Sequence, residues 1–266
     1  MVSLFQLFAI ISILVIAISG GWVPLVRRET ACERDGFPRG EAFSAGVFLA
    51  LSILIMLPAS HHLLTMAHPK LIFPLASSGC LTAFVVLLAL AHWMRGGKIH
   101  RKNNLLSEPT IPLIMVVMIA IPSFLLGTAL AMSSNFGALM MLLAIFVHKG
   151  SAGFALALNL VRSTLSPAKT WLAYLCFALS TPTGIVVGDS VHFFITGYVE
   201  LLVKGVILGL ASGVFLYMAT LHEFNNSPLI KACSTAKGFA FMLTGLLLTA
   251  AVKLVLGLAH TGNLHH

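Results

Sequence analysis

The chain is short of charge. Its 266 residues hold 16 Lys and Arg and 8 Asp and Glu, 9% in all, against 58% hydrophobic residues and a mean hydropathy of +0.99. A soluble globule of this size needs far more polar surface, so a water-soluble enzyme or binding module is excluded. Cysteine is scarce as well: Cys32, Cys80, Cys176 and Cys233 stand far apart without a C-x-x-C, implying neither a cysteine zinc site nor a disulfide framework. No H-E-x-x-H is present, which removes a zinc protease. The stretch "HHLLTMAH", residues 61–68, resembles one histidine box of a di-iron desaturase, but such enzymes need several on the cytoplasmic side, so no enzyme is expected. The basic segment "RGGKIHRKNN" has no interleaved aromatics, and nucleic acid is not an expected partner.

What is present is a series of apolar runs. A helix needs about 20 apolar residues to cross a bilayer, and such runs fall near Leu4–Val26, Ala42–Leu64, Leu71–Met94, Thr110–Met132, Ala138–Val161, Trp171–Asp189, Gly197–Leu221 and Gly238–Leu258. The first run is longer than a typical signal-peptide core and no basic residue precedes it, so it is read as a span. The runs leave no separate soluble domain, which predicts one domain over residues 1–266. Lys and Arg gather after odd spans: Arg27, Arg28, Arg34 and Arg39, then Arg95, Lys98, Arg101 and Lys102, then Arg162 and Lys169, then Lys231 and Lys237. The alternate loops show Lys70 alone. Basic loops face the cytoplasm. The expected fold is therefore an all-α polytopic membrane protein, an eight-transmembrane-helix bundle with both termini extracytoplasmic, multi-pass in a plasma or inner membrane and in contact with lipid.

On this topology His61, His62 and His68 sit at the outer end of the second span, joined by His192 after the sixth, with Asp189 and Glu200 near. Imidazole is a favoured ligand for borderline cations, so this mouth suits the collection of Zn(II)-like ions; plain solvated loop histidines remain the other reading. In the fifth span His148 lies near the midplane, and helical spacing puts Ser151, Ala152, Ala155 and Asn159 on its face. Lys149 stands beside it. A charge at the centre of a membrane helix costs about 2.5 to 3.5 kcal/mol on insertion scales, so such a lysine marks a pathway, or else is neutral, with its amine hydrogen-bonded to the carbonyls of a broken helix. Pro182 in "LSTPTGIVVGD", with Ser180, Thr181 and Thr183 around it, predicts an interruption of the sixth span, and Pro58 and Pro122 predict similar ones in the second and fourth.

Several stretches together resemble the ZIP family of divalent-metal transporters: "AFSAGVFLALSILIMLP" (42–58), "HKGSAGFALALNLV" (148–161), "ALSTPTGIVVG" (178–188) and "GLASGVFLYMATLHE" (209–223). The resemblance implies a transport site between the fourth and fifth helices, built from a His-Ser/Asn-x-x-Glu-Gly pattern on the fourth and a His-x-x-x-Glu-like pattern on the fifth. In "IPSFLLGTALA" the family histidine falls on Pro122 and its glutamate on Leu126, leaving Ser123 and Gly127; on the fifth helix His148 matches, the glutamate position is Ala152, and Lys149 stands where some members hold a second metal. Ala59 replaces an acidic residue after the second helix, and His222 with Glu223 replaces a glutamate near the seventh. The implied transport residues are His148, Lys149, Ser123, Ser151 and Asn159, and the metal donors are His148, His61, His62, Asp189, His192, His222 and Glu223. The implied substrate is Zn(II), with iron or manganese as alternatives; no fixed cofactor is expected, and a homodimer is left open. A charged Lys149 some 4 to 5 Å from a dication would oppose it by several kcal/mol at an effective dielectric near 20. Two functions therefore stay open: a carrier of divalent cations with a rebuilt site, and a ZIP-fold protein that moves another solute or acts as a sensor or partner subunit.

Overall fold

Lipid offers no partner to a backbone amide, so a spanning segment must satisfy its own, and the helix does this within one segment. The computed structural model follows that rule: it describes residues 4–33, 36–70, 73–100, 110–131, 135–163, 165–191, 197–220, 230 and 233–262, and no strand occurs among them. In chain order the helices are α1 (Leu4–Val26), a short α2 (Arg28–Cys32), α3 (Pro38–Ala67), α4 (Leu75–His100), α5 (Thr110–Ala131), α6 (Asn135–Arg162), α7 (Pro167–Val191), α8 (Tyr198–Thr220) and α9 (Ala236–Gly262). Among the described residues six helices are long and apolar enough to cross a membrane: α1, α3, α8 and the greater parts of α6, α7 and α9. Shorter apolar stretches lie in the other two, Leu75–Leu90 in α4 and Ile119–Thr128 in α5. The chain is a multi-pass integral membrane protein.

The long helices pack in two groups. In the first, α1 lies on α6 and α7, and α5 lies on α7 and α6; in the second, α9 lies along α3, and α8 lies against both α3 and α4. The groups meet where α6 touches α3 and α9 and where α5 touches α8. Small residues let helices approach this closely. Between α5 and α7 the fit is backbone to backbone: a Cβ on Gly127 would strike the Thr181 carbonyl, and one on Gly184 the Phe124 carbonyl. Across the seam Phe37, just before α3, meets Phe154 of α6 at 6.0 Å between ring centroids, while Phe48 and Phe215, 5.3 Å apart, join α3 to α8 within the second group.

The expected proline interruptions need correction. Both α5 and α7 run unbroken through Pro122 and Pro182. Around Pro182, whose ring removes one helix hydrogen bond, Ser180 Oγ donates to the Phe177 carbonyl at 2.7 Å and Thr183 Oγ1 to the carbonyls of Leu179 and Ser180 at 3.0 and 2.9 Å. The hydroxyls engage the ladder on both sides of the gap, and the helix continues. In α3 the adjustment is a change of winding: Leu51–Met56 is π-helical. Leu54, whose carbonyl Pro58 cannot bond, lies inside that wider turn, a usual way for a helix to absorb such a defect.

Candidate functional site

Two neighbours on α6, the helix at the centre of the first group and of the seam, define the site. Consecutive helical residues point about 100° apart, so His148 and Lys149 reach different partners. His148 is 1% exposed; its Nε2 lies 3.4 Å from Ser123 Oγ on α5, and its ring meets the Phe215 ring of α8 edge-on at 5.2 Å. Its Nδ1 is buried without a hydrogen-bond partner. A buried ring nitrogen left unpaired costs about 1–3 kcal/mol, and it is a donor position that a bound ligand would satisfy.

Lys149 is fully buried, and its amine is held by α7. Nζ donates to the Phe177 carbonyl at 2.7 Å and to Ser180 Oγ at 3.0 Å, and sits 3.9 Å from the centre of the Phe177 ring. A carbonyl oxygen, a hydroxyl and an aromatic face are all electronegative partners, which suits an ammonium in a dry interior. The amine thus points across the α6–α7 contact, whereas the imidazole points toward α5 and α8.

The other expected residues divide. Ser151 is turned back on its own helix, with Oγ donating to the carbonyls of Val147 and His148 at 2.8 and 3.2 Å. Asn159 donates from Nδ2 to Ala155 O at 2.8 Å; eleven positions from His148, it is about 16 Å further along the axis and does not join the central pair. His61 and His62 are exposed near the end of α3. At the same end His68 pairs with Tyr198, and Glu200 forms an i,i+4 ion pair with Lys204. Asp189 belongs to α7, but its side chain lies outside the described residues, as do His192, His222 and Glu223 altogether. Among the described residues no three His, Cys, Asp or Glu side chains converge to hold a metal ion. The centre offers a nitrogen donor and a hydroxyl, fewer than the three or four protein ligands usual for zinc.

Two features were missed by reading the residues alone. Phe177 and Ser180, the partners of Lys149, act largely through a backbone carbonyl, which no sequence pattern displays. Glu41, in the first turn of α3, pairs with Arg162 at the end of α6, with Oε1 2.6 Å from Nη2; the signal available was an acidic residue set among the arginines that report topology.

The ZIP Zinc transporter family model matches residues 94–253, more than half of the chain. The chain belongs to the ZIP family. The matched segment includes His148, Lys149 and every helix they touch. The chain is 32% identical over 155 residues to protein zntD of Dictyostelium discoideum, covering 54% of this chain and 22% of that protein. It is 29% identical over 141 residues to mouse zinc transporter ZIP2, covering 50% and 46%. With human zinc transporter ZIP1 it shares 26% identity over 293 aligned positions, covering 91% of this chain and 90% of that one. The alignments thus span about a fifth and about half of the first two relatives and most of the third. Of these relatives, ZIP2 and ZIP1 are zinc transporters by name.

Proposed function

We propose that the chain carries divalent metal cations, Zn(II) foremost, across a membrane by way of His148 and Ser123 at the α5–α6 contact. The observation that carries this reading is the unpartnered Nδ1 of a buried histidine in a member of the ZIP family. His148 supplies its free Nδ1, Ser123 Oγ holds the ring from the Nε2 side, and waters travelling with the cation complete its coordination. The Phe215 ring walls the site on the side of α8. The frame is one domain of eight spans with both termini extracytoplasmic. In support, α4 and α5 have 26 and 22 residues, enough to span about 30 Å at 1.5 Å per residue. The end bearing Arg27, Arg28, Arg39 and Arg162 then faces the cytoplasm.

A second reading has its own support. The central helices bring no carboxylate to His148, and the Lys149 amine already has its partners in α7. On that reading the ZIP fold is kept, dication transport is lost, and the chain moves another solute or serves as a sensor or partner subunit. Zn(II) uptake into proteoliposomes, with calorimetric titration of the purified chain, separates the two. A carrier shows uptake that His148→Ala abolishes at unchanged thermal stability. Absence of both uptake and His148-dependent binding in a folded wild-type protein overturns the carrier reading and leaves the second.

A further inference from the structure

We infer that the pocket between the N-terminal turn of α3 and the C-terminal turns of α6 is a second divalent-cation site, a release site that Arg162 occupies in this conformation. The inference rests on the carrier reading and adds to it a place where the cation stops on its way out. Glu41, Ser44, Asn159 and Arg162 line this pocket together with Phe48 and Phe154, and it has about 30 Å³ of free space, room for roughly two waters. A carboxylate, a hydroxyl and an amide on two helices form an oxygen-rich set of the kind that holds a partly hydrated dication. The Glu41 side chain is only 10% exposed, and its Oε1 accepts from Arg162 Nη2 at 2.6 Å. The guanidinium is held in turn by Ala31, whose carbonyl accepts from Nε at 2.8 Å. One carboxylate in a tight pocket cannot keep a guanidinium and a dication on the same face, so the two cations compete.

The pocket's position agrees with this role. A wider hollow of about 340 Å³ lies along the same α3–α6 seam, and it shares Ser44 and Phe154 with the first. Gly150 and Ser151 form part of its wall, two and three residues from His148. Ser44 and Phe154 thus stand between the Glu41 pocket and a hollow whose wall comes within two residues of His148 along α6. This end of the bundle carries Arg27, Arg28, Arg39 and Arg162, whose summed field opposes a leaving dication; a carboxylate within it lowers that barrier locally.

Calorimetric titration of Zn(II) into the full chain in lipid nanodiscs tests the site. Arg162→Gln is expected to add one Zn(II) equivalent, bound at least tenfold more tightly than anything at this pocket in the wild type. Adding Glu41→Gln to that variant should remove the extra equivalent, and adding His148→Ala should leave it in place. Because Arg162 also ties α6 to Ala31, a second variant guards against misfolding: Asn159→Asp keeps the arginine and supplies a second carboxylate, and is expected to show the same gain. If neither variant gains an equivalent while His148-dependent binding persists, the release site is overturned and the carrier reading stands. If the gain appears without any His148-dependent binding, the release site stands and the central site falls.

Discussion

Replacing Lys149 by methionine tests the charge logic of the centre most directly. The stem and its packing are nearly preserved, so the substitution removes the amine without opening a large cavity. Two hydrogen bonds are lost, but the Phe177 carbonyl still accepts from Ser180 Oγ at 2.7 Å and is not orphaned. Loss of the desolvation penalty on the amine offsets the lost bonds, and exchange of buried ionic groups for apolar ones of similar volume is often neutral or stabilising. The expected change in stability is therefore within about 1 kcal/mol, whereas Lys149→Ala, which also empties the space of the stem, should cost about 2–5 kcal/mol. For metal binding, the amine and the imidazole leave α6 about 100° apart, which puts their tips roughly 10 Å from each other. At that separation a dication at His148 and an ammonium repel by about 3 kcal/mol at an effective dielectric of 20, twice the unit-charge value of about 1.7 kcal/mol. For an amine that keeps its proton, Lys149→Met should then tighten Zn(II) binding by up to about two orders of magnitude. Thermal unfolding in detergent and calorimetric titration of both variants supply the readouts. An unchanged Zn(II) affinity in a folded Lys149→Met protein would refute the repulsion, and a loss of several kcal/mol in its stability would refute the claim that α7 can spare the amine.

Ala152 lies one turn beyond His148 and is fully buried, so Ala152→Glu should raise Zn(II) affinity at least about tenfold while overpacking costs about 1–3 kcal/mol; the same titration and a melting curve show both. The exposed pair His61 and His62 should act before the central site, so replacing both by alanine should raise the Zn(II) concentration for half-maximal uptake and leave the saturated rate nearly intact; an unchanged concentration dependence removes them from the path. Gly184→Leu forces a side chain onto the Phe124 carbonyl of α5 and should lower the melting temperature through a cost of about 1–3 kcal/mol or more; wild-type stability would show that α5 and α7 can separate freely.

The helices were legible because a membrane leaves the chain little choice: long apolar runs must be helical, and their lengths read directly from residue type. Proline behaviour was not legible in the same way. The lost bond at Pro182 is a property of one residue, but whether the helix breaks is not, and α7 runs on through Pro182 as α5 does through Pro122. Periodicity placed Ser151 and Asn159 on the face of His148, yet a shared face does not mean a shared partner. Ser151 folds back onto its own helix, and Asn159 ends in a different pocket. The pairing of His148 with Ser123 was expected from family resemblance, since spacing within α6 cannot say which helix will lie against it.

On the proposed carrier reading, the charges along α6 also give the pathway a direction. Near the middle, the Lys149 amine meets only dipoles on α7; at the end, Arg162 is balanced by a full carboxylate on α3. A dication arriving at His148 meets no carboxylate among the described residues, while one arriving at Glu41 meets attraction as soon as Arg162 moves aside. Weak holding in the centre followed by an exchange of cations at the end keeps a dication from being trapped at His148. The sequence feature behind this is Leu126 and Ala152 where the family resemblance implies acidic residues, with Glu41 at the seam, so central affinity should rise when a carboxylate is placed at Ala152, and net uptake should slow as the bound ion becomes harder to release. Faster net uptake in Ala152→Glu at saturating Zn(II) would contradict this account.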